Sequence, residues 1–112
     1  MLRSEIQPQA STPKTLTAGD GSKLWTNEGA ASEIIFDLPV PVAGLEYRFL
    51  VQDVDGLRIV PDATSTIRVA AATTTASTGY ISSTTIGNVV QIVAINTTQW
   101  IVVNQVGTWT VV

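Results

Sequence analysis

Short apolar runs alternate with turn residues along almost the whole chain. From Lys14 onward, runs such as KTLT, SEIIFDL, LEYRFLVQD and VVQIVAI are each followed by glycine, proline, asparagine or aspartate. β-branched residues dominate these runs, and no window shows apolar residues at the helical period. The pattern predicts an all-β fold, a single antiparallel β-sandwich or barrel-like domain of about ten short strands.

The first dozen residues have a different character. Pro8 and Pro13 bracket small polar residues, and no strand or helix period is visible there. Because proline fixes its own φ and biases the preceding residue towards extended conformations, we expect an extended arm that is poorly ordered in isolation. The predicted organisation is an N-terminal arm over residues 1–12 and one all-β domain over residues 13–112.

Two stretches share a glycine, a long apolar strand, a polar turn and a second apolar strand. Their glycines, Gly44 and Gly87, are 87 − 44 = 43 positions apart. They are either two equivalent hairpins of a duplicated unit or a chance likeness between ordinary hairpins. In the second stretch, the strand from Val89 is apolar on both faces, which is typical of a strand covered on both faces. In a chain of 112 residues, the second cover is most simply another subunit.

The composition limits the possible functions. The chain has no cysteine and no histidine, which removes disulfides, thiolate metal ligands and the commonest general base. A net charge of −3 does not suit electrostatic binding to nucleic acid or to an anionic membrane, because both require a basic surface. We predict no enzymatic activity and no cofactor. Only 13% of the residues are charged, against roughly 25% in an ordinary domain, as in chains that bury surface in an oligomer.

Two motifs admit a functional interpretation beside a structural one. Asp53 and Asp55 have the spacing of a calcium loop, but Leu57 follows where a further oxygen ligand would stand, and Asp55 with Gly56 is typical of a turn. The Asn-Thr-Thr sequence at residues 96–98 is formally a glycosylation sequon. It lies between two apolar strands, where a hairpin turn is the stronger interpretation.

The C-terminal stretch NTTQWIVVNQVGTW is aromatic and β-branched, whereas chain ends usually carry polar residues. We therefore expect this end to be buried. Gly107 allows a turn between the two tryptophans, so the segment is predicted to form an antiparallel strand pair near an oligomer axis. A sugar-stacking surface of exposed aromatic side chains is the alternative. The predicted oligomer-interface residues are Trp100, Val102, Trp109 and Val111.

Several stretches together carry a likeness to known proteins. They are LTAGDGSKLWTNEGA near the start, Leu38-Pro39, Ala43-Gly44-Leu45, Ile86-Gly87-Asn88, and Trp100 followed by Gly107-Thr108-Trp109. Residues 15–110 on this basis resemble a family of small virion proteins and domains of tailed bacteriophages. The resemblance implies a homotrimeric head decoration (cement) protein, which binds the major capsid protein on the capsid exterior and stabilises the head.

Such a protein would be assembled in the host cytoplasm and would bind neither nucleic acid nor membrane. The alternative within the same resemblance is a tail-fibre or tail-tip domain that contacts the host surface, including its carbohydrate. The short arm, with no shaft sequence beside it, favours the capsid. The arm residues predicted to bind the capsid are Leu2, Arg3, Ile6 and Pro8.

Overall fold

The computed structural model describes residues 5–112, and these residues are almost entirely β-strands and turns. A single 3-10 turn spans Ala18–Asp20. The all-β prediction is confirmed. Within the described residues the chain forms twelve strands: β1 (Ile6–Pro8), β2 (Lys14–Thr15), β3 (Leu24–Thr26), β4 (Ile34–Asp37), β5 (Glu46–Leu50), β6 (Leu57–Val60), β7 (Thr66–Val69), β8 (Ala72–Thr73), β9 (Ile81–Ser83), β10 (Val89–Ala94), β11 (Gln99–Val106) and β12 (Thr110–Val111).

The strands form two mixed sheets. The larger sheet has the order β1-β3-β5-β10-β11-β7-β8, and the smaller has the order β12-β9-β6-β4-β2. From β1 to β7, each strand lies in the sheet opposite to the one before it. Successive strands therefore do not pair with each other, and the neighbours β1–β3, β3–β5, β2–β4 and β4–β6 are parallel.

This arrangement corrects the predicted single antiparallel domain of about ten strands. Apolar alternation identifies the buried face of each strand, but it carries no information about the strand's partner or direction. The supposed pair of equivalent hairpins illustrates the difference. β10 and β11 do form an antiparallel hairpin, whereas β5 and β6 lie in different sheets.

Aromatic side chains from both sheets meet in one core. Phe36 of the smaller sheet lies between Trp25 and Phe49 of the larger sheet, with ring centroids 5.9 Å and 5.0 Å away. Tyr47 contacts Trp100 at 5.7 Å, which extends the cluster to β11. All five rings are fully or almost fully buried. Such pairs add about 0.5–1.5 kcal/mol each beyond the area that they bury.

The described part of the N-terminal arm belongs to the larger sheet. β1 runs parallel to β3 at the sheet edge, and the Gln9 amide continues the ladder by donating to Thr26 O at 2.9 Å. The Thr12 hydroxyl accepts a hydrogen bond from the Ile35 amide at 2.9 Å. Ile6–Pro8 is therefore extended and paired with β3, and Gln9 and Thr12 add hydrogen bonds to Thr26 and Ile35.

One buried asparagine fixes the end of β3 against the connection between β5 and β6. The Asn27 amide nitrogen donates to Asp53 O and Gly56 O, both at 3.0 Å. Its carbonyl oxygen accepts from the amides of Gln52 and Asp53 at 2.7 and 2.9 Å. The side chain is completely buried, and it binds four backbone groups at this end of the domain, of which Gly56 O also accepts from the Ile34 amide.

Candidate interaction surface

The charged residues are confined to one part of the chain. All six lysines and arginines and all nine aspartates and glutamates lie between residues 1 and 68, and the last of them is Arg68. The following 112 − 68 = 44 residues carry no charged side chain. That span contains the five strands β8 to β12. We refer to residues 69–112 as the uncharged half.

The two halves lie side by side in the smaller sheet, whereas in the larger sheet β7, which carries Arg68, lies between β11 and β8 of the uncharged half. Within the larger sheet β10, β11 and β8 belong to the uncharged half, and within the smaller sheet β12 and β9 do so. The ion pairs lie elsewhere: Lys23 is 3.8 Å from Glu5 and 3.9 Å from Asp20, and Arg58 is 3.0 Å from Glu33. The surface of the uncharged half is instead formed by threonine, serine, asparagine, glutamine and valine.

β10 has the two-faced character that its sequence predicts. Val90, Ile92 and Ala94 face the core and are buried, whereas Val89 and Val93 point outward and are half-buried. On the same face, Glu46 and Arg48 of β5 lie opposite Val93 and Gln91, and Arg68 of β7 lies opposite Ile101 of β11. An apolar outer face on an uncharged strand pair is the composition found at the centre of protein interfaces.

β11 extends well beyond its second neighbour. β10 pairs with β11 from Trp100 to Val106, but β7 pairs only with Gln99–Ile101. A register shift opposite Gln91 and Ile92 leaves Val103 as the extra residue of a bulge. Beyond Ile101 the strand therefore has a partner on one side only. We refer to residues 102–106 as the β11 edge.

The residues of the β11 edge are accessible to solvent. Val103 and Val106 are 54% and 58% exposed, Asn104 and Gln105 are exposed, and Val102 is half-buried. Sequence reasoning missed all of them except Val102, because it placed the tryptophans at the interface. The signal that points to them is the absence of charge in an exposed strand.

Both C-terminal tryptophans are buried within the single chain. Trp100 is completely buried beside Tyr47, and Trp109 is 4% exposed with its indole nitrogen donating to Val89 O at 3.1 Å. The predicted burial holds for these two indoles, whereas residues 103–108 between them are exposed. Val102 and Val111 are half-buried and pack against the same core. The indoles are therefore core side chains of the subunit rather than free contact groups.

The predicted pairing of the two tryptophan segments is wrong. Trp100 lies in β11 of the larger sheet, whereas Trp109 precedes β12, which pairs with β9 in the smaller sheet. Gly107 does provide the turn, with φ of 77°. A Cβ at this position would collide with the side chain of Asn88, so the turn requires glycine. The chain crosses to the opposite sheet here instead of folding back on itself.

The predicted capsid-binding residues are placed only in part. Ile6 is 52% exposed on β1, and Pro8 is exposed on the same strand. Leu2 and Arg3 lie outside the described residues. The two placed side chains belong to the opposite edge of the larger sheet from β11, so the structure does not bring them together with the predicted oligomer-interface residues.

The motifs with alternative interpretations are turns. Asp53 accepts a hydrogen bond from the Asp55 amide at 2.9 Å, and Asn96 accepts one from the Thr98 amide at 2.9 Å. Among residues 5–112 there is no group of three or more side chains placed to hold a metal ion, and no pocket was found there.

The pKa values of two side chains are shifted in residues 5–68, which we refer to as the charged half. Burial, with a smaller contribution from the charge of Asp20, raises the pKa of Tyr47 to about 12. The Tyr47 hydroxyl donates to Thr17 O. Burial opposes ionisation of Asp62, but hydrogen bonds from Ser65 and Thr64 outweigh it and lower its pKa. Both groups stabilise loops, and neither faces the uncharged surface.

The described residues contain no helix that is long and apolar enough to cross a membrane. No protein-family model matches the chain, and no curated protein matches it either. The candidate surface therefore rests on the geometry and chemistry of this chain alone.

Proposed function

We propose that the protein is a structural component of a virion: a trimeric capsid decoration (cement) protein that binds the outer capsid surface and stabilises the head. The observation that carries the proposal is the uncharged half, with its apolar outer face on β10 and β11. A strand pair without a charged side chain is suited to lasting contact with other subunits, since charged residues are depleted at the centre of such contacts.

The distribution of aromatic side chains favours this function over carbohydrate binding by a tail-fibre or tail-tip domain. A sugar-stacking face requires exposed aromatic rings. Six of the seven aromatic side chains are buried, and the seventh, Tyr80, is half-buried with the Arg58 guanidinium 3.9 Å from its ring centroid. The cation therefore occupies a face that a sugar would need.

The arm is the proposed contact with the major capsid protein. Ile6 exposes about half of its side chain at the edge of the sheet, on the same strand as Pro8. An isoleucine that is half-exposed in the free protein and buried in a complex contributes about 1–2 kcal/mol, which corresponds to about a tenfold change in affinity.

Binding to empty heads of the phage that encodes the chain tests this proposal directly. We expect co-sedimentation with heads that lack decoration, together with an increase in their thermal stability. Ile6→Ser should weaken binding about tenfold, whereas the matched control Val54→Ser, in the turn after β5 and 68% exposed, should not. Light scattering of the free protein should give three times 11.9 kDa.

The alternative makes the opposite prediction. A tail-fibre or tail-tip domain would bind host cells or their surface glycans and would leave empty heads unchanged. Binding to cells without binding to heads would therefore replace the capsid proposal by the tail proposal, and the absence of both would remove the virion assignment.

A further inference from the structure

The β11 edge is the longest stretch of strand with an open side among residues 5–112. Val102–Val106 spans five residues. The pairing of Ile101 with Arg68 engages the Val102 amide, and from Val103 to Val106 no backbone group bonds to an element other than β10 in the part of the chain that the structure describes. An edge of this kind presents free N–H and C=O groups in the spacing of a strand, which makes it a template for a further strand.

The other edges of the two sheets are short or blocked. β1 contains Pro8, which has no amide hydrogen to donate, and β2 is two residues long and follows Pro13. β8 also has only two residues. β12 is followed by Val112, which exchanges backbone hydrogen bonds with Tyr80. Proteins usually protect an edge by such means or by placing charge on it. The β11 edge has only the bulge at Val103, and it carries no charge.

The described N-terminal strand lies far from this edge. β1 and β11 are separated by β3, β5 and β10, which is four inter-strand spacings. At ~4.8 Å each these amount to ~19 Å. None of the described strands pairs with the open side of β11 beyond the end of β7.

We propose that a second copy of this chain covers it, with the two β11 edges paired antiparallel about a two-fold axis near Asn104. In a symmetric pair of this kind Asn104 lies opposite its own counterpart and the whole segment faces a copy of itself, so any net charge on it would face the same net charge. The segment Val102–Val106 contains no charged residue. Val103 and Val106, both more than half exposed in the single chain, would gain neighbours from the paired strand.

This contact does not rest on the proposed function, and the mass of the free protein separates the two. Two copies, about 24 kDa from 2 × 11.9 kDa, would support the pair and overturn the proposed trimer. Six copies would support both, as two trimers joined across two-fold axes. Three copies would support the trimer and overturn the pair, and a monomer at high micromolar concentration would overturn both.

Two opposite charges at one position test the symmetry itself. Asn104 is exposed and makes no side-chain hydrogen bond to other described residues, so Asn104→Lys and Asn104→Glu should both fold normally, as circular dichroism will verify. Each variant alone should associate at least ~10-fold more weakly than the natural chain, because like charges meet at the axis. An equimolar mixture should recover the association, because lysine then faces glutamate.

Thr97→Lys and Thr97→Glu provide the matched control. Thr97 is exposed in the turn between β10 and β11, within the uncharged half but outside the β11 edge. These variants should associate like the natural chain in sedimentation velocity across the same concentrations. Unchanged association of either Asn104 variant alone would overturn the proposal. So would an equimolar mixture of Asn104 variants that stays as weakly associated as its components, because an asymmetric contact or a different partner at this edge would not respond to mixing.

Discussion

The two halves of the domain share one core but have different surfaces. In residues 5–68, ion pairs link neighbouring elements, and Lys14 and Lys23 lie 5.5 Å and 5.9 Å from the ring centroid of Trp25. In the uncharged half, Trp109 instead uses its indole nitrogen to bind the backbone of β10, and Asn88 binds Ser83 Oγ and Thr108 O. Each half thus encloses buried side chains, but only one has a surface typical of a protein in free contact with water.

The difference in surface charge between the two halves has a cause other than the packing of the core. Buried side chains are equally apolar in both halves, so the lack of charge after Arg68 does not follow from the needs of the core. Lysine and glutamate normally keep a domain soluble and protect its edges. Their absence from an exposed strand pair and its open edge is the observation on which both proposals rest.

The largest expected effect concerns the anchor of the uncharged half. Trp109→Ala should lower the free energy of unfolding by about 3–5 kcal/mol, because it leaves a cavity between the sheets and removes the bond to Val89 O. Denaturant titration measures this loss. The indole is buried within one chain, so the loss should be the same at low and high protein concentration. A loss that disappeared on dilution would place the indole at an interface after all.

A pair of matched substitutions isolates the hydrogen bond of that anchor. Trp109→Phe and Trp100→Phe remove similar volume, but the indole nitrogen of Trp100 is buried without a hydrogen-bond partner among the described residues. Only Trp109→Phe removes a hydrogen bond, and Val89 O then keeps only its strand partner Val106. It should therefore cost about 0.5–1.5 kcal/mol more than Trp100→Phe in the same titration. Equal costs would show that the bond to Val89 contributes nothing to stability.

The next effect compares the buried asparagines of the two halves. Asn27→Ala should cost about 2–4 kcal/mol, because the side chain serves four backbone groups in the charged half. Asn88→Ala should cost about 1–2 kcal/mol, because Asn88 makes two hydrogen bonds as a donor. Asn104→Ala, at an exposed position, is the control that should change stability little. A larger loss of stability for Asn88→Ala than for Asn27→Ala would show that the uncharged half depends more on its polar contacts than its geometry indicates.

The sequence predicts the strands of this domain better than it predicts their partners. Alternation correctly gives the inward face of β10, and the turn residues at 53–56 and 96–98 correctly mark connections. Alternation could not predict the parallel pairs. After every strand from β1 to β6 the chain crosses to the other sheet, and this crossing is a property of the connections rather than of any strand. The Trp100 and Trp109 segments were assigned to one sheet for the same reason.

The candidate surface was only partly visible in the sequence. The low charged fraction and the two-faced β10 both indicated a covered surface, and the structure places them on the same strand pair. The β11 edge could not be found from sequence, because it exists only where β7 ends beside Ile101 while β11 continues to Val106. An exposed run such as VVNQV is indistinguishable from a buried strand until the neighbouring strand is known.

A pH-dependent effect is expected where the two halves meet. Tyr47 packs against Trp100 of the uncharged half and lies near Asp20 of the charged half. Burial, and to a lesser extent Asp20, raises its pKa from 10 to about 12 in the folded state. Stability should therefore be unaffected below pH 10 and decrease as the pH rises from 10 through 12, because the unfolded chain then loses the proton that the folded chain retains.

Tyr80→Phe makes this titration measurable, because it leaves Tyr47 as the only tyrosine of the chain. The ultraviolet absorbance of tyrosinate then reports the ionisation of Tyr47, and circular dichroism reports unfolding on the same samples. Adding Asp20→Asn keeps an acceptor for the Thr17 amide but removes the charge, so the pKa of Tyr47 should fall slightly and remain above 10. Burial is the larger cause, and it depends on Trp100 closing over the phenol ring. A return of the pKa to 10 in the Asp20→Asn variant would instead mean that the charge of one half, rather than the packing between the halves, controls this residue.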